Sequence, residues 1–422
     1  MDRIAPELVL GYGSAADDLI VSCRREGFQR LRVVADSNTW EALGRATVES
    51  LVGAGMGAES TVLAAGVRAD EAALGTLLAE ESMRPAPLAA VGSGTITDLV
   101  RLYASRMRLP FFSLPTAASV DAYASSVSAM TIGGFKRTVA AIAPRGIFVD
   151  LDAIRAAPAQ MTSAGFADML CKFSALADWR LGALIWGEPW DEAIADRSRA
   201  AATECVAVAA LVGRREPEGI EALIRALVES GMAMSLAGHS RPASGAEHHL
   251  SHYWETALER EGRPPLLHGL KVGVATALVA ALWERMRTVD RSELRERLAV
   301  AVPPDVKSEE DAIRRDFGAS APEILAAQRR FLSLDARGFE ALKGAVDRNW
   351  DEIVGLAGSV PGQRETKSLL AAAGCPTEAS ELGLEADLVE AAWAGGHRLR
   401  DRFTVMKLAR LLGIADPPPA GR

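Results

Sequence analysis

Short apolar runs rich in β-branched residues alternate with stretches of helical periodicity from about residue 31 to residue 151. This alternation is typical of a parallel sheet whose strands are joined by crossover helices. After Asp152, long stretches with apolar residues every three or four positions predict helices. The sequence therefore predicts an α/β plus all-α architecture. An N-terminal α/β parallel-sheet domain of nucleotide-binding type (residues 1–155) precedes a C-terminal helical domain (residues 156–422), and we expect a cleft between them. The expected strands are 31–35, 61–65, 88–91, 111–114 and 147–151.

Charge and cysteine content exclude several classes of protein. The formal net charge is −8, whereas nucleic-acid binding calls for a clustered basic face. The four cysteines are scattered and form no CxxC pair, which argues against a disulfide scaffold and fits a reducing cytoplasm. The best uncharged apolar run, Val272–Trp283, is too short to cross a bilayer. We therefore expect a cytoplasmic protein that neither binds nucleic acid nor inserts into a membrane.

A glycine turn follows the expected strand 88–91. The phrase Gly92-Ser93-Gly94-Thr95 runs into an expected helix over 96–107. Glycine lets the backbone approach a pyrophosphate, and the free N–H groups of a helix start attract its charge. The alternative is that the turn needs glycine for steric reasons alone. Asp36, at the end of the strand 31–35, suits a ribose-binding carboxylate, and its alternative role is the N-cap of a helix starting near Thr39.

Histidine is concentrated in one part of the chain. Five of the six histidines fall between His239 and His268, and neutral imidazole is the commonest protein ligand of transition metals. On a helix, His248 and His252 share a face, while His249 is rotated away by roughly 100°. His268 follows twenty residues after His248, where a loop is expected to enter a helix. The pattern predicts a metal or proton-transfer site.

A catalytic metal with an open position needs a third, harder ligand. Asp168 is an acid in an otherwise apolar stretch, and we expect it at the start of a helix. Its alternative roles are a capping carboxylate or the partner of Lys172, four residues later.

Five phrases in order resemble the superfamily of iron-containing alcohol dehydrogenases, glycerol dehydrogenases and dehydroquinate synthases. Within it, the chain is most similar to the bacterial glycerol-1-phosphate dehydrogenase branch. The superfamily phrases are Gly92–Thr95 with Asp98, 115–126, 165–168, 244–248 and 268–269, and those typical of the branch are 177–179, 247–255 and 400–404. Two positions depart from the pattern. The cofactor loop lacks the glycine triplet and lysine common elsewhere, and alanine stands where glycine is expected in Ala122-Tyr123-Ala124.

The resemblance implies an N-terminal Rossmann-like domain and a C-terminal helical domain with the functional site in the cleft between them. It also implies a role for each matching residue. The metal ligands are Asp168, His248 and His268, and the catalytic substrate contacts are Asp121 and His252, with Asp168 as a further one. Asp121 has an alternative role as a turn-forming residue. The nicotinamide cofactor contacts are Asp36, Gly94, Thr95, Ile96, Thr97, Asp98, Thr116, Ala117, Ala118, Ser119 and Ser125.

The implied reaction is reversible reduction of dihydroxyacetone phosphate to sn-glycerol 1-phosphate. It uses NADH or NADPH and one divalent ion, zinc or nickel, with iron as a further candidate. Lys136, Arg263 and Lys271 are candidate partners of the substrate phosphate. The alternatives are a glycerol or other polyol dehydrogenase and a dehydroquinate-synthase-like lyase that uses NAD transiently. No motif indicates the oligomeric state, although alanine-rich helices with exposed apolar faces could pair, and a homodimer is one candidate assembly.

Overall fold

The computed structural model describes residues 6–80, 84–133 and 135–415, without the side chains of Phe135 and Lys136. Its strands are β1 (Glu7–Gly11), β2 (Arg30–Asp36), β3 (Gly57–Leu63), β4 (Leu88–Gly92), β5 (Phe111–Pro115), β6 (Val127–Ile132), β7 (Phe135–Ala140) and β8 (Gly146–Asp150). Its α-helices are α1 (Ala15–Arg25), α2 (Ser37–Thr39), α3 (Arg45–Gly53), α4 (Glu71–Ala79), α5 (Gly94–Met107), α6 (Leu151–Ala156), α7 (Ala159–Leu170), α8 (Lys172–Trp186), α9 (Glu192–Ala207), α10 (Ala209–Gly213), α11 (Pro217–Ala237), α12 (Ala246–Arg260), α13 (His268–Thr288), α14 (Arg291–Val300), α15 (Val306–Phe317), α16 (Ala321–Leu332), α17 (Ala336–Arg348), α18 (Trp350–Ser359), α19 (Gln363–Ala372), α20 (Ala386–Gly395) and α21 (Val405–Leu411).

A parallel sheet carries the first part of the chain. Within the described residues its order is β1-β8-β5-β4-β2-β3, and every neighbouring pair is parallel. Successive residues of β4 enter opposite cores, because side chains alternate along a strand. Ala89 and Val91 pack with α1 and α3 on one face, and Leu88 and Ala90 pack with α4 and α5 on the other. The predicted Rossmann-like parallel sheet is confirmed.

The five expected strands correspond to β2, β3, β4, β5 and β8. The sequence interpretation missed β1 and the antiparallel pair β6–β7, whose register runs from Val127 opposite Ala140 to Ile132 opposite Phe135. Further along the chain, α9 and α10 are two helices separated at Val208.

The chain divides into two compact units. We call Met1–Met169 with Thr203–His239 the sheet unit, and Leu170–Ala202 with Ser240–Arg422 the helical unit. This division differs from the domain boundary expected near residue 155, which stays a prediction. Residues 156–169 and 203–239 belong to the sheet unit because their helices pack closely on its loops. A Cβ added at Gly165 of α7 would lie 2.1 Å from the carbonyl oxygen of Ala118, and one at Gly231 of α11 would lie 2.5 Å from that of Asp121.

The helical unit is built on one large apolar core. Leu250 and Trp254 of α12 pack there with Val274 and Trp283 of α13. Helix α13 is buried along most of its length, because its apolar residues cover most of its circumference. The predicted helical C-terminal architecture is confirmed. The shared apolar core packs α12 against α13. None of the helices in the described part of the chain has the length and apolar character needed to span a bilayer.

Candidate active site

Three loops of the sheet unit emerge at one edge of the sheet. Residue pairing places β4 between β2 and β5, with Gly92 opposite Pro115. The chain passes outward from β2 to β3 and then returns to β4, so the connections change direction between β2 and β4. Ligands of open α/β sheets bind at the carboxyl ends of strands beside such a switch point. Asp36, the turn after Gly92 and the loop starting at Thr116 all follow these carboxyl ends.

The glycine turn is tightly packed. A Cβ at Gly92 would lie 2.6 Å from the Cβ of Ile96, and one at Gly94 would lie 3.1 Å from a methyl of Val120. The steric role that we considered for these glycines is therefore present. Ser93, the N-cap residue of α5, makes no side-chain capping bond. The first N–H groups of a helix have no partner within the helix, and at α5 they stand at the edge where a dinucleotide is expected.

Asp36 acts as a helix cap. Its Oδ1 atom accepts hydrogen bonds from the backbone N–H groups of Asn38 and Thr39, each 2.9 Å long. Both hydrogen bonds end on the same carboxylate oxygen of Asp36. Capping of the helix is therefore compatible with a hydrogen bond from a ribose hydroxyl to the second oxygen. The ribose contact stays a prediction.

Asp98 belongs to a buried charge network that the sequence interpretation missed. Its carboxylate lies 2.7 Å from Nη1 of Arg101, whose guanidinium is fully buried. Arg101 also donates to the carbonyl oxygens of Ala122 and Tyr123 and, at 3.1 Å, to that of Val127. The pair fixes the segment that follows Asp121. The spacing of an acid and an arginine three residues apart in an apolar helix was the available signal.

Two predicted catalytic acids lie together in the sheet unit. The backbone N–H of Asp121 donates to Oδ2 of Asp168 at 3.3 Å, and the Ser230 hydroxyl donates to Oδ2 of Asp121 at 2.8 Å. Both aspartates are buried. The expectation that Asp168 starts a helix is wrong, since it lies in the last turn of α7. Ser230 on α11 was missed, because only tertiary packing brings it to Asp121.

The remaining predicted cofactor residues line buried loops. Thr116, Ala117, Ala118, Ser119 and Ser125 are all buried. The hydroxyl of Tyr123 donates to the carbonyl oxygen of Ala117. Burial raises the pKa of Tyr123 to about 12, so it stays a neutral donor. The N–H of Val127 donates to Ser125 Oγ at 3.1 Å. The loop is thus fixed by its own side chains.

In the helical unit, the structure brings three predicted histidines together. The ring centroids of His248 and His268 lie 5.2 Å apart, those of His252 and His268 lie 5.6 Å apart, and those of His248 and His252 lie 6.0 Å apart. His248 and His252 share one face of α12, and His268 is the first residue of α13. Two imidazoles that bind one ion at about 2.1 Å have centroids roughly 5 Å apart. The spacing of His248 and His268 fits a shared ion.

A buried acid orients His248. Nδ1 of His248 lies 2.9 Å from Oε1 of Glu247, which also accepts from the backbone N–H of Gly245 at 2.6 Å. Burial raises the pKa of Glu247, but His248 and the backbone donors outweigh it, and the net pKa lies below its usual value. The carboxylate places the imidazole proton on Nδ1 and leaves Nε2 to bind a metal. The sequence interpretation assigned Glu247 no role, although it precedes His248.

Cys171 was also missed. Its sulfur lies within 4.8 Å of a ring nitrogen of His248 in the helical unit, although the sequence interpretation treated the cysteines as scattered. Its Sγ lies 3.6 Å from the carbonyl oxygen of Ala243 and 3.7 Å from Nζ of Lys172.

His249 points away from the three-histidine cluster, as the helical spacing predicts. Its side chain is buried, and neither ring nitrogen has a hydrogen-bond partner among the described residues. Burial, reinforced by the charges of Arg402 and Lys407, lowers the pKa of His249 well below its usual value. A neutral, enclosed imidazole of this kind is not available to substrate.

Two phrases typical of the branch anchor the start of α12. Asp178 accepts from the backbone N–H groups of Ala246 and Val405, at 2.7 and 2.6 Å. Burial and the neighbouring Glu247 raise the pKa of Asp178 well above its usual value. Arg402 donates to the carbonyl oxygen of Ser244 and, at 2.9 Å, to the hydroxyl of Ser240. These contacts explain the phrases 177–179 and 400–404 as supports of the histidine helix.

The proposed site residues fall in both units. Asp36, Asp121 and Asp168 belong to the sheet unit, and His248 and His268 belong to the helical unit. Each half is organised by contacts within its own unit. The complete three-ligand metal site stays a prediction.

The sequence is similar to a known protein family and to several characterised proteins. A family model described as iron-containing alcohol dehydrogenase matches residues 13–158. The chain is 33% identical to the glycerol-1-phosphate dehydrogenase, NAD(P)+, of Halalkalibacterium halodurans over 404 residues, which cover 95% of this chain and 91% of that protein. The enzyme of the same description from Bacillus subtilis strain 168 is also 33% identical, over 95% of this chain and 90% of that protein.

Solved structures show the same fold. Glycerol dehydrogenase from Schizosaccharomyces pombe matches with a TM-score of 0.62 and 19% identity, covering 98% of this chain and 90% of that one. An iron-containing alcohol dehydrogenase from Corynebacterium glutamicum matches with a TM-score of 0.60 and 16% identity, covering 99% of this chain and 96% of that one. At these identities the likeness concerns the fold.

Proposed function

Because this chain belongs to the glycerol-1-phosphate dehydrogenase family of iron-containing alcohol dehydrogenases, we propose that it reduces dihydroxyacetone phosphate reversibly to sn-glycerol 1-phosphate with NADH or NADPH. The observation that carries the proposal is the three-histidine cluster in a chain with only six histidines. Similarity over 95% of the chain, rather than over one domain, supports the substrate assignment.

The nicotinamide cofactor is proposed to bind at the carboxyl edge of the sheet. The proposed contacts are Asp36, Gly94, Thr95, Ile96, Thr97, Asp98, Thr116, Ala117, Ala118, Ser119 and Ser125. The start of α5 would receive the pyrophosphate, because its first N–H groups carry partial positive charge. The carboxylate of Asp98 is already paired with Arg101, so its proposed contribution is to hold the loop. Asp36 favours NADH over NADPH, because a carboxylate repels a 2′-phosphate.

Asp168, His248 and His268 are proposed to hold one divalent ion. Two observations in the helical unit support this proposal. The ring centroids of His248 and His268 lie 5.2 Å apart, and the Glu247 carboxylate is hydrogen-bonded to Nδ1 of His248. Two nitrogen donors and one oxygen donor suit zinc, nickel or iron. When bound, such an ion polarises the substrate carbonyl and stabilises the alkoxide that forms on hydride transfer.

Two further side chains are proposed to act on the substrate. Asp121 would accept a hydrogen bond from a substrate hydroxyl, since the Ser230 hydroxyl occupies its Oδ2 atom and fixes its orientation. His252 would exchange a proton with the reacting oxygen. Of the proposed phosphate partners, Arg263 lies 2.8 Å from Glu385 and Lys271 lies 3.5 Å from Glu255. The third, Lys136, has its side chain outside the described residues. The phosphate partner, the homodimer and the cytoplasmic location stay predictions.

The test is to remove metal with a chelator and follow NADH and NADPH oxidation in the presence of dihydroxyacetone phosphate. Activity should disappear and return when nickel, zinc or iron is added singly, and His268→Ala should lower turnover by orders of magnitude. Metal-independent turnover would overturn the metal assignment. In the oxidative direction, a preference for glycerol over sn-glycerol 1-phosphate would make the protein a polyol dehydrogenase, and product formation without net NADH consumption would make it a lyase.

A further inference from the structure

A charged pair stands behind His252 in the helical unit. Nδ1 of His252 lies 2.9 Å from Oε2 of Glu255, and the other oxygen of the same carboxylate lies 3.5 Å from Nζ of Lys271. The Lys271 side chain is 1% exposed, whereas the Glu255 side chain is 20% exposed. The Glu255 carboxylate therefore bridges an imidazole and a buried ammonium.

Helix geometry holds these groups on the side of the histidine cluster. Glu255 follows His252 by three residues on α12, and Lys271 follows His268 by three residues on α13. Residues three apart on a helix are neighbours. The His252 ring is stacked on His268 with an interplanar angle of 29°. It is thus constrained on one face by an aromatic contact and at Nδ1 by a carboxylate.

We propose that Glu255 and Lys271 act as a positioning pair that fixes the tautomer and the orientation of His252. This inference rests on the proposed function, because it concerns the proton exchanged with the substrate oxygen. An ionised carboxylate only accepts hydrogen bonds, so the shared proton belongs to Nδ1 and Nε2 carries the lone pair. Lys271 supplies the positive charge that offsets the partly desolvated carboxylate, and this inference therefore assigns Lys271 to Glu255 rather than to the substrate phosphate.

The proton exchange then runs through one nitrogen. In alcohol oxidation, the substrate O–H bond breaks, its proton bonds to the Nε2 lone pair, and C2 loses a hydride to NAD(P)+. In the reverse direction the Nε2–H bond breaks, its electron pair stays on Nε2, and the proton bonds to the reacting oxygen of the substrate, whose C2 would gain the hydride of a bound NADH or NADPH. The Nδ1–H bond to Glu255 persists in both directions, so Glu255 positions the ring without giving up or taking a proton.

The test compares the holoenzyme with three variants. Glu255→Leu removes the acceptor, Lys271→Met removes the cation, and the double variant replaces the pair by apolar side chains, an exchange that is often neutral for folding. We expect kcat to fall about 10- to 100-fold in these variants, which is the scale of a partly lost acid–base contribution. The KM for dihydroxyacetone phosphate and the amount of metal bound per chain should stay within about threefold, which corresponds to at most roughly 0.7 kcal/mol. Replacing Glu340 and Lys343, a pair 2.8 Å apart on α17, by Leu and Met is the matched control and should leave kcat unchanged.

A second readout does not depend on turnover. The ring nitrogens of His252, assigned in 15N NMR spectra by comparison with His252→Gln, should show the Nδ1–H tautomer in the unaltered protein and lose it in Glu255→Leu. An Nε2–H tautomer in the unaltered protein overturns the inference, as does an unchanged kcat in the double variant or a loss of kcat that parallels metal loss. If the unaltered protein does not reduce dihydroxyacetone phosphate but shows the Glu255-dependent tautomer, the proposed function fails and the positioning pair stands.

Discussion

The close approach of α7 to the loop 116–119 makes Gly165→Ala an informative substitution. A Cβ at this position would lie 2.1 Å from the Ala118 oxygen and 2.8 Å from its carbonyl carbon. Carbon and oxygen pack no closer than about 3.3 Å, so helix and loop must separate by about 1.2 Å. The obstacle is main chain, and rotation of a side chain cannot relieve it.

Two opposing energies set the size of the effect. Overpacking of this kind lowers the free energy of unfolding by about 1–3 kcal/mol. We expect the upper end of this range, because main-chain atoms must move. Replacing glycine by alanine within a helix returns about 1 kcal/mol. We expect a net loss of about 2 kcal/mol in the free energy of unfolding. The loop also carries proposed cofactor contacts, and we expect the dissociation constant for NADH to rise about tenfold, equivalent to about 1.4 kcal/mol.

Urea denaturation and fluorescence titration with NADH measure the two effects. Gly355→Ala is the matched control, because it lies within α18 and an added Cβ there meets no described heavy atom within 4 Å. The control should gain about 0.5–1 kcal/mol from helix propensity alone. Equal urea midpoints for the two alanine variants, or unaltered NADH binding by Gly165→Ala, would refute the argument from the close contact.

Three other substitutions test separate parts of the structure. Glu247→Gln removes the charge that orients His248 and should weaken metal binding about 10- to 100-fold in chelator competition; unchanged affinity would contradict the orienting role. Arg101→Met removes the cation paired with the buried Asp98 carboxylate and should cost about 3–5 kcal/mol in urea denaturation. Adding Asp98→Asn should recover part of that loss, and equal midpoints for the single and double variants would contradict the pairing. Burial lowers the pKa of Lys407 from 10.5 to about 8, so between these values the unfolded chain binds more protons than the folded chain, and the free energy of unfolding contributed by this group rises with pH. In Lys407→Met, the free energy of unfolding should rise less steeply between pH 8 and 10.5. An unchanged pH dependence of the free energy of unfolding in urea denaturation across that range would disprove the lowered pKa of Lys407.

The buried strands were predictable because they are continuous apolar runs. β4, β5 and β8 are buried at every position, and such strands carry a signal that needs no tertiary information. β1 has the same length as these strands and was missed because it is only half-buried. The hairpin β6–β7 was also missed, although Gly133, with a φ of 61°, marks the turn between its strands.

The site was predictable where its residues are close in sequence. The spacing of His248 and His252 alone indicated a shared face, and the structure confirms it. Ser230 could not be predicted, because it reaches Asp121 from a helix 109 residues away. The predicted position of Asp168 at the start of a helix was wrong, because the apolar residues around it continue through α7 into α8 and do not mark where α7 ends.

Alanine in place of glycine at Ala122 and Ala124 is explained by the packing around them. The two residues form a short 3-10 turn whose carbonyl oxygens are held by Arg101, and the close approach of α11 is accommodated by Gly231 on the helix rather than by glycine in the loop. Alanine restricts the unfolded chain more than glycine does. The turn therefore holds Asp121 with less loss of conformational entropy on folding, and the departure from the family pattern favours preorganisation of this proposed substrate contact.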